Sequence, residues 1–162
     1  MSVSENWNVL QLGCPNSADD ELTSAMGDAL RHRIVKAGGL LAVWAILSED
    51  CYETTFGDGF YLHIKGIALN EDDATRLAEL GRVEEDRITN ANRTTGYKLH
   101  VRKYTLGLDN NAPMLMESRN PEEEFTIGDF VQILSEIEPG GGASKLHIGW
   151  NTRKAGPFIS LQ

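Results

Sequence analysis

Residues Leu40–Leu47 read LLAVWAIL, preceded by Gly38 and Gly39 and followed by Ser48, Glu49 and Asp50. A run without a polar position has no side to turn toward water. Its short length and flanking glycines predict a central strand covered on both faces; a buried helix is the alternative. A strand of this kind makes the rest of the chain a source of covering elements.

Those elements can be read on either side. Trp7–Leu12 suggests a short strand ending at Gly13, and Ser17 a cap for a helix over Ala18–Ala37. Ser48–Asp50 suggest a turn. Tyr52–Phe56 then pair with Phe60–Leu69 across Gly57-Asp58-Gly59, since an Asp-Gly pair is a hairpin signal. Asn70 starts a second helix toward Thr89, striped by Leu77, Leu80 and Ile88. Tyr97–Leu108 is a long strand and Asp109–Asn120 a loop with an apolar Met114–Met116. Thr126–Ile137 is a helix with Ile127, Phe130, Val131, Leu134 and Ile137 on one side. Pro139–Gly142 is a break, and Lys145–Trp150 with Pro157–Leu161 form a closing hairpin.

The order β-α-β-β-α-β, then α-β-β, predicts one compact α+β domain over residues 1–162. It would hold a mostly antiparallel sheet with two or three helices. The first six elements match the split βαβ, ferredoxin-like pattern, and the αββ piece is a C-terminal extension. The apolar run is far too short to cross a bilayer, which takes about 20 residues.

Asp and Glu number 24 against 15 Lys and Arg, a formal charge of -9. Phosphate contacts need cations, so nucleic acid is a poor partner, and anionic membranes repel such a surface. Nine of the carboxylates form three triplets, Asp19-Asp20-Glu21, Glu71-Asp72-Asp73 and Glu122-Glu123-Glu124, after Ser17, Asn70 and Asn120. Negative charge in a first helical turn is favoured by the exposed N–H groups there, so helix starts account for much of the excess. Cys14 and Cys51 fit no paired metal or redox motif, and the N-terminus lacks the basic and apolar regions of a secretory signal. A reduced, cytoplasmic protein is the simplest expectation.

One pattern recurs on three expected strands: Leu62-His63-Ile64-Lys65, Leu99-His100-Val101-Arg102 and Leu146-His147-Ile148-Gly149. Side chains alternate along a strand, so each His shares a face with the residue two places on. Were these strands neighbours, His63, Lys65, His100, Arg102 and His147 would form a positive patch on an acidic protein. Arg102 offers a planar fork for phosphate or carboxylate, and paired histidines can exchange protons near neutrality. The adjoining Lys and Arg disfavour a metal. No dinucleotide, phosphate-loop, zinc-protease or nucleophile-elbow motif is present, so neither cofactor nor metal is expected.

Two functions follow. The first is a non-catalytic regulatory or protein-interaction domain of the immunity, inhibitor or counter-defence type, with a protein partner or self-association in preference to nucleic acid or membrane. The second is a binder of, or enzyme for, a phosphorylated or anionic small molecule through the His/Lys/Arg strand face.

Overall fold

The computed structural model describes residues 17–54, 57–92, 98–118, 120–148 and 158–161. Its helices are α1 (Ser17–Lys36), α2 (Glu71–Asn92) and α3 (Ile127–Leu134). Its strands are β1 (Leu41–Thr54), β2 (Gly57–Ala68), β3 (Leu99–Asp109), β4 (Ala112–Leu115), β5 (Leu146–His147) and β6 (Phe158–Ile159). The first four strands form one antiparallel sheet in the order β2-β1-β3-β4, and β5 pairs antiparallel with β6. This is an α+β domain. Among the described residues, no helix is long and apolar enough to cross a membrane.

The apolar run lies in β1, and its two sets of alternating side chains serve two cores. Val43, Ala45 and Leu47 join Leu30 and Ile34 of α1, Tyr104 and Leu106 of β3, and Phe130, Val131 and Leu134 of α3. Ile46 faces the other way and meets Ala74, Leu77 and Ala78 of α2, with Leu99, Leu146 and Ile148. Sequence and architecture meet here: a strand apolar on both sides becomes the one covered on both sides.

The strands differ from expectation in their bounds and in their order. Ser48–Asp50 do not turn; they continue β1. Thr54 pairs with Gly57 and Tyr52 with Gly59, so Gly57-Asp58-Gly59 lies inside β2 and not at the hairpin turn. In a ferredoxin-like sheet the strand beside β3 would be the first in the chain. Here β1 takes that place, because its two apolar faces need a central position. Trp7–Leu12 lies outside the described residues.

Asn110 and Asn111, both with positive φ (52° and 67°), form a tight turn that returns the chain as β4. Asn tolerates that conformation better than most residues, so the expected loop contains a hairpin. The stripe of α2 is Ala74, Leu77, Ala78, Gly81 and Glu85, while Leu80 is exposed. Trp44 is half-buried, with Lys103 Nζ 5.4 Å from its ring centre.

Two of the acidic triplets begin helices as expected. Asn70 Oδ1 accepts from the Asp73 N–H at 2.8 Å, closing the start of α2. The third triplet does not. Residues 122–124 leave a turn closed by the Glu123 N–H on Asn120 O and bridge to β2: the Leu62 N–H donates to Glu122 O and the Glu124 N–H to Leu62 O. The cap of α3 is Thr126, whose hydroxyl accepts from Gly128 while Asp129 accepts from the Thr126 N–H. The glycine-rich break is also pinned. Leu69 donates to Gly142 O, and Ser144 exchanges bonds with Ile67.

Candidate functional site

The register decides which strand residues share a face. Ser48 is opposite His63, and Leu47 is opposite His100. Neighbours in β1 point to opposite sides, so His63 and His100 do as well. Arg102 is opposite Ala45 and lies on the face of His100. The sheet therefore brings His100 and Arg102 together and sends His63 to the face covered by α2.

Lys65 is separated from them for another reason. Pairing steps from Ile46–Gly66 to Leu47–Ile64, leaving Lys65 as the extra residue of a β-bulge, where it is buried. A bulge interrupts strict alternation, so the spacing from His63 no longer sets the direction of Lys65. His147 stands on β5, outside the main sheet, with its Nε2 3.6 Å from Glu136 Oε1. The five residues expected to form one patch are thus distributed over two faces and a separate hairpin.

What the sheet assembles is a row on β3. His100, Arg102 and Tyr104 alternate onto one face, and two glutamates meet them. His100 Nε2 is 2.8 Å from Glu49 Oε1. Arg102 Nη1 and the Tyr104 hydroxyl both donate to Glu123 Oε1, the latter at 2.9 Å. Glu123 is buried, although its triplet suggested an exposed helix start. Its backbone explains this: pairing with Leu62 holds residues 122–124 against the sheet edge and turns Glu123 inward. Its Oε2 is buried with no hydrogen-bond partner among the described residues. Nothing local in the sequence distinguishes Glu123 from Glu122 or Glu124; only the edge pairing does.

This arrangement changes the chemistry of the candidate residues. Arg102 already neutralises a buried carboxylate, and His100 already has one hydrogen-bonding acid. The row is a set of internal hydrogen-bonded pairs with an open side, since the Arg102 side chain keeps 42% of its surface. Among the described residues, no group of three His, Cys, Asp or Glu is placed to hold a metal ion.

Two other surfaces are open. A groove of about 280 Å³ runs between α1 and α3, lined by Met26, Ala29, Leu30, Val131 and Leu134, with Arg33 at its edge. The Arg33 guanidinium donates to Ile137 O at 3.0 Å. On the sheet face that carries α2, the helix leaves one end bare. There Leu40 is 56% and Met116 51% exposed. A side chain at Gly107 would touch both, so the two apolar groups flank that glycine.

Cys14 lies outside the described residues, and Cys51 is in β1. No protein-family model matches the chain, and no curated protein or solved structure is significantly similar to it.

Proposed function

We propose that this chain is a non-catalytic protein-interaction domain that acts by docking a macromolecular partner. The observation that carries this reading is the exposed apolar pair Leu40 and Met116 on a sheet face that α2 covers only in part. A sheet face is normally buried against another layer, and exposed apolar groups at its bare end favour a partner in that place. Methionine suits such a contact because its side chain adapts to irregular surfaces. The excess of acid over base favours a partner of opposite charge around the apolar contact.

The test is a photocrosslinking residue at Met116, with the same residue at Glu138 as control. A discrete adduct at Met116 alone, reconstituted with the purified partner and weakened by Leu40→Asp, supports the reading. A reconstituted mixture that sediments as two separate species overturns it.

A second reading, an anionic small molecule at His100 and Arg102, has one observation in its favour: the two share a face and keep open surface. Their bonds to Glu49 and Glu123 count against it, because a ligand anion would compete with carboxylates already in place. A thermal-shift panel of phosphates and sugar phosphates separates the two. A rise in Tm abolished by Arg102→Ala favours the small molecule.

A further inference from the structure

The edges of the main sheet are not equally closed. The outer edge of β2 is met at Leu62 by residues 122–124 and at Ala68 by Ala143. The outer edge of β3 is met by β4 only from Leu106 onward.

Hydrogen bonds fix which β3 groups point outward. Lys98 O accepts from Glu49 of β1, so the even-numbered groups face inward. Thr105 O accepts from Met116, and the Thr105 N–H donates to Glu117 at 2.8 Å, so the odd-numbered groups face outward. Leu99 O accepts from Arg82 at 3.1 Å. Two side chains thus close the ends of this edge. Between them, the N–H and C=O groups of Val101 and Lys103 meet no described residue. An edge with unpaired backbone groups is a template for another strand.

The charge of the edge says what strand it suits. From Lys98 to Leu108 the chain carries Lys98, His100, Arg102 and Lys103 and no acid, within a protein of net charge -9. Lys98, His100 and Arg102 alternate onto one face, and all three are exposed. A strand laid beside β3 would set alternate side chains about 5 Å from theirs. His100 and Arg102 already bond to Glu49 and Glu123, so the charge at the open edge is that of Lys98, which has no ion-pair partner among the described residues. A second copy would bring like charge to it, whereas a carboxylate would pair with it.

We propose that the outer edge of β3, from Leu99 to Lys103, docks an extended acidic segment of a partner protein by strand addition. This rests on the interaction-domain reading and names its recognition mode: backbone pairing at Val101 and Lys103, with an acidic side chain beside Lys98. Leu40 and Met116 supply a separate contact on the same partner.

The test is amide hydrogen exchange on the full chain with a synthetic probe, the peptide Thr-Glu-Val-Glu-Val-Glu-Thr. In the free protein, Val101 and Lys103 amides exchange fast while Arg102 and Tyr104 amides are slow. Millimolar probe slows the first two by about tenfold or more. The same peptide N-methylated at alternate residues gives no protection, and Lys98→Glu weakens binding of the unmodified probe.

Slow exchange at Val101 and Lys103 in the free chain overturns the proposal, as does a probe that protects neither amide. Equal binding of the N-methylated probe overturns it too, because the contact would then be charge alone. A partner captured through Met116 with the edge amides unchanged sinks strand addition and leaves the interaction reading standing.

Discussion

The Tyr104 hydroxyl donates to Glu123 Oε1 across 2.9 Å, tying the segment before α3 to the second central strand. The same oxygen takes a bond from Arg102, so one buried carboxylate joins β3 to the strap on β2. Burying a charge is tolerable only when it is paired and hydrogen-bonded, so each partner here has a cost of removal.

Tyr104→Phe removes one donor and keeps the ring packed against Phe125 and Phe130. The expected loss is about 1–2 kcal/mol in urea unfolding. Arg102→Met should cost a similar amount. The double variant should lose measurably more or less than the sum, because both donors share one acceptor. Strict additivity would show that Glu123 does not couple them.

Gly81 lies in the middle of α2, where alanine alone would add about 1 kcal/mol of helix propensity. A Cβ at this position would come within 2.5 Å of Leu146 and 2.7 Å of Leu99. Overpacking of this kind costs about 1–3 kcal/mol. Gly81→Ala should therefore destabilise, with a lower Tm, and a rise would mean that α2 does not approach β3 and β5 so closely.

Gly142→Ala tests the pinned loop in the same way. The added methyl would collide with the Asp73 carboxylate, which is held by Asn70 Nδ2 at 3.0 Å. The carboxylate must swing aside and give up its Asn70 bond, so the expected result is a small loss of stability, relieved in part when Asp73→Ala is added. Gly140→Ala meets no neighbour, but its φ of 83° makes the change a backbone penalty and not a collision.

The exposed pair Glu84–Arg87 gives a pH signature. The hydrogen bond from Arg87 holds the Glu84 carboxyl below its ordinary value, with a smaller opposing effect of desolvation and a further lowering by the Arg87 charge. A carboxyl lowered in the folded state contributes stability above its unfolded pKa. That contribution fades as pH falls through the folded pKa. An NMR titration should show Glu84 titrating below the ordinary value of a glutamate, and Arg87→Ala should raise its midpoint. An unchanged midpoint would show that the pair does not form in solution.

The sequence was legible wherever a local pattern had one physical solution. The two-sided apolar run became the central strand, and the stripe from Ile127 to Leu134 became the buried side of α3. The site was less legible because its geometry depends on register. A three-residue pattern repeats at His63 and His100, but pairing through β1 sets them on opposite faces, and the bulge at Lys65 breaks alternation. Glu123 was hidden among identical neighbours, since its burial comes from a bridge to Leu62, far away in the chain. The hairpin after β3 rests on two asparagines, a weaker turn signal than glycine.

The β1–β2 hairpin joins strands that follow one another almost directly, with Thr54 against Gly57. By contrast, β3 reaches β1 only after the whole of α2 has been passed. Closing the small loop costs far less chain entropy than closing the large one. The hairpin is thus positioned to be the early event in folding, and the arrival of β3 the slow one. Mutations in β3 such as Tyr104→Phe should then act mainly on the unfolding rate if β3 docks after the barrier, and on the folding rate if its docking is the barrier.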